Sequence, residues 1–166
     1  MRKVISLLML AVSFVLLLAP VGHAQTSACS TAQGNTFSPT GPPTVLSTRT
    51  VDGFGITVET FGLCFTGAFT GTTQGTVTII VNLSTGNGVF FGQNTFTGTI
   101  TTSSGTTAPG TILSPFAASF SAGAFQGRYS LNSGTGGLED IHGFGTITGS
   151  LTTFVGTYTA TFFTSD

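Results

Sequence analysis

Hydrophobic and polar residues alternate with a period of two along most of the chain after residue 44, which is the pattern of strands that bury one face. In one clear run, Val77, Ile79 and Val81 alternate with Thr76 and Thr78. Thr, Val, Ile and Phe favour strands. The alternation predicts nine segments, some of which we expect to merge into about eight strands: 44–50, 54–60, 61–70, 75–84, 94–102, 111–120, 123–131, 144–153 and 155–164.

Glycines interrupt several of these segments, among them Gly67, Gly98 and Gly127. A glycine within a strand permits sharp coiling, and closing a sheet into a barrel removes the edges that uncharged strands would otherwise expose. The pair Asp52-Gly53 is typical of a tight hairpin turn. We therefore expect an all-β fold, a single closed or nearly closed antiparallel barrel of about eight strands.

The beginning of the chain has a different pattern. Arg2 and Lys3 precede an apolar run over 4–18, and small residues stand shortly before Gln25. This order of a basic, an apolar and a small-residue region is typical of a secretory signal peptide. We expect cleavage after residue 24 and a secreted or periplasmic protein, with no membrane span in the mature chain.

The chain then divides into three parts. We expect 1–24 to be the signal peptide, 25–43 to be an irregular N-terminal arm with three prolines, and 44–166 to be the β-barrel domain. A lipoprotein with its lipid on Cys29 is an alternative, although the residue at position 26 is not the aliphatic one that such a site prefers.

Both cysteines, Cys29 and Cys64, follow the expected cleavage site. Exported thiols normally form disulfides, so we expect these two to pair and to attach the arm to a strand. The alternative is a nucleophilic thiol, which needs a reduced cysteine and a basic partner. His142 is the candidate partner for that chemistry.

Ionisable side chains are scarce after residue 24, where the chain has no Lys, one His, two Arg (Arg49 and Arg128) and five carboxylates. Nucleic-acid binding needs clustered basic residues, so we expect no nucleic-acid partner. A metal site needs three or four ligands, and one His with a few acidic residues offers few candidate ligands. We therefore expect no metal and no cofactor.

Three residues are candidates for catalysis: Glu59, Asp140 and His142. Asp140 and His142 are two positions apart and could form a general base oriented by a carboxylate, although a charged loop is more often solvated. Glu59 has the opposite parity to the apolar residues over 54–58 but shares the parity of those over 61–65. If the later register holds, Glu59 points inward with a raised pKa; we favour the solvated alternative.

The most distinctive local string, 133–146, reads SGTGGLEDIHGFGT. A phosphate-binding loop would need a helix after the glycines, and a strand pattern follows here instead. In its spacing the string resembles that of small β-barrels related to allene oxide cyclase and dirigent proteins, including bacterial secreted relatives, over roughly residues 123–163. Leu138 stands where dirigent-type relatives often carry an aromatic residue. The family's catalytic residues are not carried over to this chain, because the two patterns align only at the glycine-rich string.

The resemblance implies a closed antiparallel barrel with an apolar cavity, which in the plant relatives holds a reactive intermediate and steers its cyclisation or coupling. An outer-membrane barrel is a rival at the level of the fold, but the chain has no Trp and only two Tyr for the aromatic girdles of such a barrel.

Three functions remain open: binding of a small apolar molecule, a structural or surface-interaction role, and a cyclase- or isomerase-like activity. Binding requires aromatic side chains to line a void rather than to fill a core. The candidate ligand-binding residues are Phe65, Phe69, Phe96, Phe125 and Tyr129. We favour a secreted, non-catalytic barrel that binds a small hydrophobic ligand.

Overall fold

The computed structural model describes Cys29 and residues 34–164, and these residues contain strands and turns but no helix. The described part therefore has no helix that is long and apolar enough to cross a membrane. The expected signal peptide, most of the first half of the arm and Asp166 lie outside the described residues. The strands are β1 (Thr36–Pro39), β2 (Thr44–Val51), β3 (Phe54–Thr66), β4 (Phe69–Asn82), β5 (Gly88–Thr102), β6 (Gly105–Thr106), β7 (Gly110–Ser121), β8 (Ala124–Gly136), β9 (Ile141–Ser150), β10 (Gly156–Tyr158) and β11 (Thr161–Thr164).

Eight of the strands form a closed antiparallel ring, which confirms the predicted fold class. The order around the ring is β1, β10, β9, β8, β7, β5, β4 and β3. β1 closes the ring because it pairs with β10 on one side and with β3 on the other. The remaining strands extend it: β2 pairs with β3, β11 with β9 and β6 with β5.

The hairpin between β2 and β3 turns at Asp52 and Gly53, as the sequence predicts. Both residues have positive φ, 48° and 82°. This is the backbone of a two-residue type I′ turn, in which the twist of the turn matches the twist of the strands.

Strand β3 joins two segments that the sequence separates at residue 60. The separation rests on a change in parity, because the apolar residues over 54–58 and those over 61–65 occupy alternate positions. In the structure the strand is continuous through residue 60, and its pairing with β4 has no shift of register there. Phe54 and Ile56 lie on the outer face, where Phe54 is exposed, whereas Phe61 and Phe65 face the interior of the barrel.

Other boundaries also differ from the sequence prediction. The predicted segment 61–70 runs through the turn at residues 67 and 68, so β4 begins at Phe69 rather than near 75, and the predicted segment 155–164 is divided into β10 and β11. β5 begins at Gly88 rather than near 94, because Val89, Phe90 and Phe91 place apolar side chains on both faces and so hide the alternation. Within the segment 25–43, predicted to be irregular, Thr36–Pro39 forms the strand that closes the ring.

One end of the barrel is filled by side chains. Ile100, Ile112 and Leu138 are completely buried there. Leu138 belongs to the glycine-rich string, which forms the end of β8, a tight turn and the start of β9. We call this the closed end.

The disulfide predicted between Cys29 and Cys64 is present, with a Cα–Cα distance of 5.2 Å. It attaches the chain before β1 to β3 near the end of that strand. Among the described residues no cysteine is free.

Candidate ligand-binding cavity

Above the closed end the barrel contains a cavity of ≈ 380 Å³. Its wall is mainly aromatic, and the five residues proposed from the sequence as ligand-binding all lie on it. Those five are Phe65, Phe69, Phe96, Phe125 and Tyr129. Five further phenylalanines complete the aromatic part of the wall: Phe37, Phe61, Phe90, Phe116 and Phe154.

The rings on the wall hold one another in place. Phe65 and Phe96 meet edge to face with their centroids 6.1 Å apart, and Phe61 and Phe116 do the same at 5.6 Å. Such pairs add about 0.5–1.5 kcal/mol each beyond the burial of their area. Edge-to-face contacts between rings therefore stabilise the wall at more than one place around the barrel.

The cavity reaches solvent beside the segment that links β1 to β2. Among the lining residues, Gly41, Pro42, Pro43 and Phe154 are exposed. After the Thr40 amide donates to the Gly62 carbonyl at 3.0 Å, the chain leaves the ring to begin β2. We call this opening the mouth.

Four polar side chains are buried in the described part of the protein, and all four line the cavity: Glu59, Thr73, Asn94 and Ser114. We call them the polar patch. Asn94 on β5 and Ser114 on β7 are direct partners across the sheet, and Asn94 pairs with Gly75 of β4 on its other side. Directly opposed residues have Cβ atoms about 4.5–5.5 Å apart, so Asn94 and Ser114 lie side by side on the wall.

Gly75 allows the strands to approach closely at the polar patch. A Cβ atom at position 75 would lie 2.6 Å from the Cβ of Asn94, which is too close for two carbons. Thr73 is two residues before Gly75 and therefore on the same inward face. Glu59 reaches this region from β3, where it pairs with Val77.

Two atoms of the polar patch have no hydrogen-bond partner within the described protein, Thr73 Oγ1 and Asn94 Oδ1. Thr73 is 2% exposed and Asn94 is 9% exposed. A buried polar atom without a partner costs about 1–3 kcal/mol, so most native structures contain few of them. Here two of them face one apolar cavity.

Glu59 is buried, with 8% of its surface exposed, so the solvated position that we favoured from the sequence is wrong. The inward register of 61–65 extends back to residue 59, and the carboxyl group lines the cavity. Desolvation by burial raises the pKa of Glu59 above 4.5, because the charged form loses its hydration.

The two tyrosines of the wall region are anchored to backbone groups. The Tyr158 hydroxyl donates to the Thr66 carbonyl and accepts from the Phe69 amide, both at 2.8 Å. Burial raises the pKa of Tyr158 to about 12, although the Phe69 amide opposes this shift. The Tyr129 hydroxyl donates to the Thr159 carbonyl at 2.7 Å, and desolvation, helped by Tyr158, raises its pKa further.

Asp140 and His142 lie away from the cavity. Asp140 is exposed in the turn before β9, and His142 is half-buried within β9 with its ring stacked on Phe163 at 5.9 Å between centroids. Neither residue lines the cavity, so the structure does not bring them together with Glu59. In the described residues no group of three or more His, Cys, Asp or Glu could hold a metal ion.

The members of the polar patch other than Glu59 escaped the sequence analysis, although the alternation carries a signal for them. Thr73 shares the inward parity of Phe69 and Val77, and Asn94 shares that of Phe90 and Phe96. A polar residue at a position of apolar parity is the pattern that would have identified them. Ser114 follows the same pattern in β7.

Comparison with known proteins supports the fold. No protein-family model matches the chain, and no curated protein matches it significantly. Among solved structures, a protein of unknown function from the DUF3224 family of Shewanella oneidensis MR-1 is similar, with a TM-score of 0.63 and 15% sequence identity over 80% of this chain and 95% of that chain. The two proteins share a fold. At this identity the similarity extends to nothing beyond the fold, and the resemblance to allene oxide cyclase and dirigent proteins stays a prediction.

Proposed function

We propose that the protein is a secreted, non-catalytic β-barrel that binds one small hydrophobic molecule in its cavity. The observation that carries this proposal is the void of ≈ 380 Å³ behind an aromatic wall. Protein interiors are normally packed without spaces of this size. Ligand sites of about 300–1,000 Å³ with apolar walls and a few polar groups are the usual form of a small-molecule pocket.

Export is supported by two features of the chain. The first residues have the order of a signal peptide, and the Cys29–Cys64 disulfide is typical of an oxidising compartment. A sulfur atom in a disulfide carries no lipid, so the disulfide also favours a free protein over a lipoprotein anchored through Cys29.

The distribution of apolar and polar side chains between the two faces of the barrel supports an outer surface that contacts water rather than lipid. Along β4 the inward positions carry Phe69, Thr73 and Val77, whereas the exposed positions between them carry Thr or Gln. An outer-membrane barrel has the reverse arrangement, with an apolar outer band and a polar interior. An exposed apolar stripe on the outer face, which includes Val51 and Phe54, interrupts this pattern near β2.

The proposal is tested by equilibrium binding of the fluorescent apolar probe N-phenylnaphthylamine. Val77 is buried on the cavity wall, and Thr76 is its exposed neighbour on the same strand. The protein should bind one probe molecule saturably, Val77→Trp should abolish binding because the indole occupies the cavity, and Thr76→Trp should bind normally. Circular dichroism checks that each variant is folded, with Val77→Phe as a milder replacement.

Absence of saturable probe binding, or binding that a folded Val77→Trp variant leaves unchanged, would contradict the proposal. In the second case the probe would lie outside the barrel, for example on the outer apolar stripe.

The burial of Glu59 favours a second candidate, a cyclase- or isomerase-like activity in the same cavity. A buried carboxyl group whose pKa desolvation raises can serve as a proton donor or acceptor for a molecule in the cavity. The test is to generate a short-lived unsaturated epoxide beside the protein and to measure the enantiomeric ratio of its cyclised product. An excess of one enantiomer that Glu59→Gln removes would support catalysis, and a racemic product would contradict it.

A further inference from the structure

The polar patch contains two polar atoms to which an apolar ligand could form no hydrogen bond. Thr73 Oγ1 and Asn94 Oδ1 are more than nine-tenths buried, face the cavity and have no partner in the described protein. An entirely apolar ligand would seal both atoms from water and increase their cost. A ligand with a hydrogen-bonding group at this place would instead pair them.

The register places these two atoms where one small group could contact both. Asn94 pairs with Gly75, which has no side chain, and Thr73 stands two residues from Gly75 on the same face. Because position 75 has no side chain, Asn94 lies directly against the backbone of β4, and no side chain stands in the space between it and Thr73. Ser114 borders the same space from β7.

Charge on the wall excludes an anionic group. The residues that line the cavity include no Lys, Arg or His, and their one acidic residue is Glu59. A carboxylate or phosphate placed here would lose its hydration without gaining a cation. A cationic group would need the charged form of Glu59, which the burial of that side chain disfavours, so the ligand's polar group should be neutral.

The donor and acceptor pattern distinguishes among neutral groups. The Asn94 Oδ1 atom only accepts hydrogen bonds, whereas the Thr73 hydroxyl donates and accepts. A ketone or an ether could accept from Thr73 but would leave Asn94 Oδ1 unpaired. A hydroxyl group donates to Asn94 and accepts from Thr73, so it pairs both atoms.

We propose that the ligand is a neutral, largely apolar alcohol whose hydroxyl group binds between Thr73 and Asn94, with its apolar body against the phenylalanine wall. This inference rests on the proposed function, because it assigns a ligand class to the same cavity. It goes further by excluding fatty acids and pure hydrocarbons as the preferred ligands.

The experiment compares decanol with methyl nonyl ether, its isomer, and with decanoic acid and decylamine at neutral pH. Affinities are measured by isothermal titration calorimetry. Decanol should bind about tenfold more tightly than the ether, since only the alcohol satisfies Asn94 Oδ1 and one such hydrogen bond is worth about that factor. Decanoate and decylamine should bind more weakly than decanol.

Three variants locate the hydroxyl group. Asn94→Leu should remove the difference in affinity between decanol and the ether, because only the alcohol donates to Asn94 Oδ1. Thr73→Val should weaken the binding of both ligands and keep the difference, because both accept from the Thr73 hydroxyl. Thr72→Val removes a hydroxyl from the exposed neighbour of Thr73 and should leave both affinities unchanged. The two cavity variants test different hydrogen bonds, so one still tests the inference if the other fails to fold.

Equal affinity of the native protein for decanol and the ether would overturn the inference while leaving the proposed function intact. Tighter binding of decanoate or decylamine would overturn it in the same way. Failure of all four molecules to bind would overturn the proposed function itself, so the two failures are distinguishable.

Discussion

At the scale of residues, the unpaired atoms of Thr73 and Asn94 carry a cost in stability that the proposed ligand would recover. In the free protein each buries a polar atom without a hydrogen-bond partner, which lowers the free energy of unfolding. Proteins retain such costs mainly at functional sites, where a ligand recovers them. The cost can be measured without knowledge of the ligand.

Thr73→Val should raise the free energy of unfolding by about 1 kcal/mol, because it replaces an unpaired buried hydroxyl with a methyl group of similar shape. The measurement is urea denaturation of the native protein and the variant. The control, Thr72→Val, changes an exposed residue on the same strand and should alter stability by less than about 0.5 kcal/mol. A less stable Thr73→Val protein would show that the hydroxyl is paired inside the barrel.

Glu59 predicts a dependence of stability on pH. Its pKa is raised in the folded state, so the neutral acid is the favoured form there. The corresponding stability is complete below the ordinary pKa of about 4.3 and is lost as the pH rises through the folded value. Tyr129, the other titratable side chain on the wall, stays neutral over this range because burial raises its pKa.

The variant Glu59→Gln removes this titration. The free energy of unfolding of the native protein, relative to that of Glu59→Gln, should therefore fall between acid and neutral pH. Urea denaturation of both proteins at a series of pH values from about 3 to 8 measures the difference. Parallel pH profiles would contradict a desolvated carboxyl group at position 59.

At the scale of elements, the ring depends on its two shortest members. β1 has four residues and β10 has three. Their pairing, which we call the seam, joins the two edges of the longer sheet. Tyr158 strengthens this seam, because its hydroxyl bonds to both backbone groups at the β3–β4 turn, at Thr66 and Phe69. A single side chain thus connects β10 to the opposite edge of the sheet.

Tyr158→Phe should lower the free energy of unfolding by about 1–3 kcal/mol, because it leaves the Phe69 amide and the Thr66 carbonyl without their partner. Tyr129→Phe is the matched control, since it removes one hydrogen bond rather than two. Thermal denaturation of both variants compares them. A loss from Tyr158→Phe no larger than that from Tyr129→Phe would mean that the seam does not depend on this hydroxyl.

The sequence predicted the elements best where one face is apolar and the other polar. The alternation located β7 closely, and the Asp52-Gly53 pair located a turn. It failed at the start of β5, where both faces carry apolar side chains, and it divided β3 where the apolar residues change from the outer face to the inner one. It missed the turn between β3 and β4, because Phe69 continues the parity of Phe65 across Gly67. It also missed β1, because a strand of four residues that ends in proline has too few positions to show a period.

The candidate site was predictable in part for a similar reason. Parity assigned the aromatic wall, since Phe65, Phe96 and Phe125 sit at inward positions of long strands. Whether those rings fill the barrel or enclose a void depends on side-chain volumes around the whole ring, which local pattern does not determine. The burial of Glu59 likewise depended on which of two registers continued through residue 60.

At the scale of the whole molecule, the barrel combines a filled end and an open one. Ile100, Ile112 and Leu138 close one end, whereas the mouth at Pro42, Pro43 and Phe154 connects the cavity with solvent. We propose that a ligand enters at the mouth and binds against the aromatic wall, so that the interior is a binding cavity.

The most direct test of that claim uses the absence of tryptophan from the chain. Phe154→Trp places a single fluorescent residue at the mouth, and Phe144→Trp places one on the exposed outer face of β9 as a control. On titration with decanol, the emission of Phe154→Trp should change saturably at one ligand per protein while that of Phe144→Trp stays constant. Emission from Phe154→Trp that stays constant up to the solubility limit of decanol, or that changes in parallel with the control, would contradict a binding cavity in this barrel.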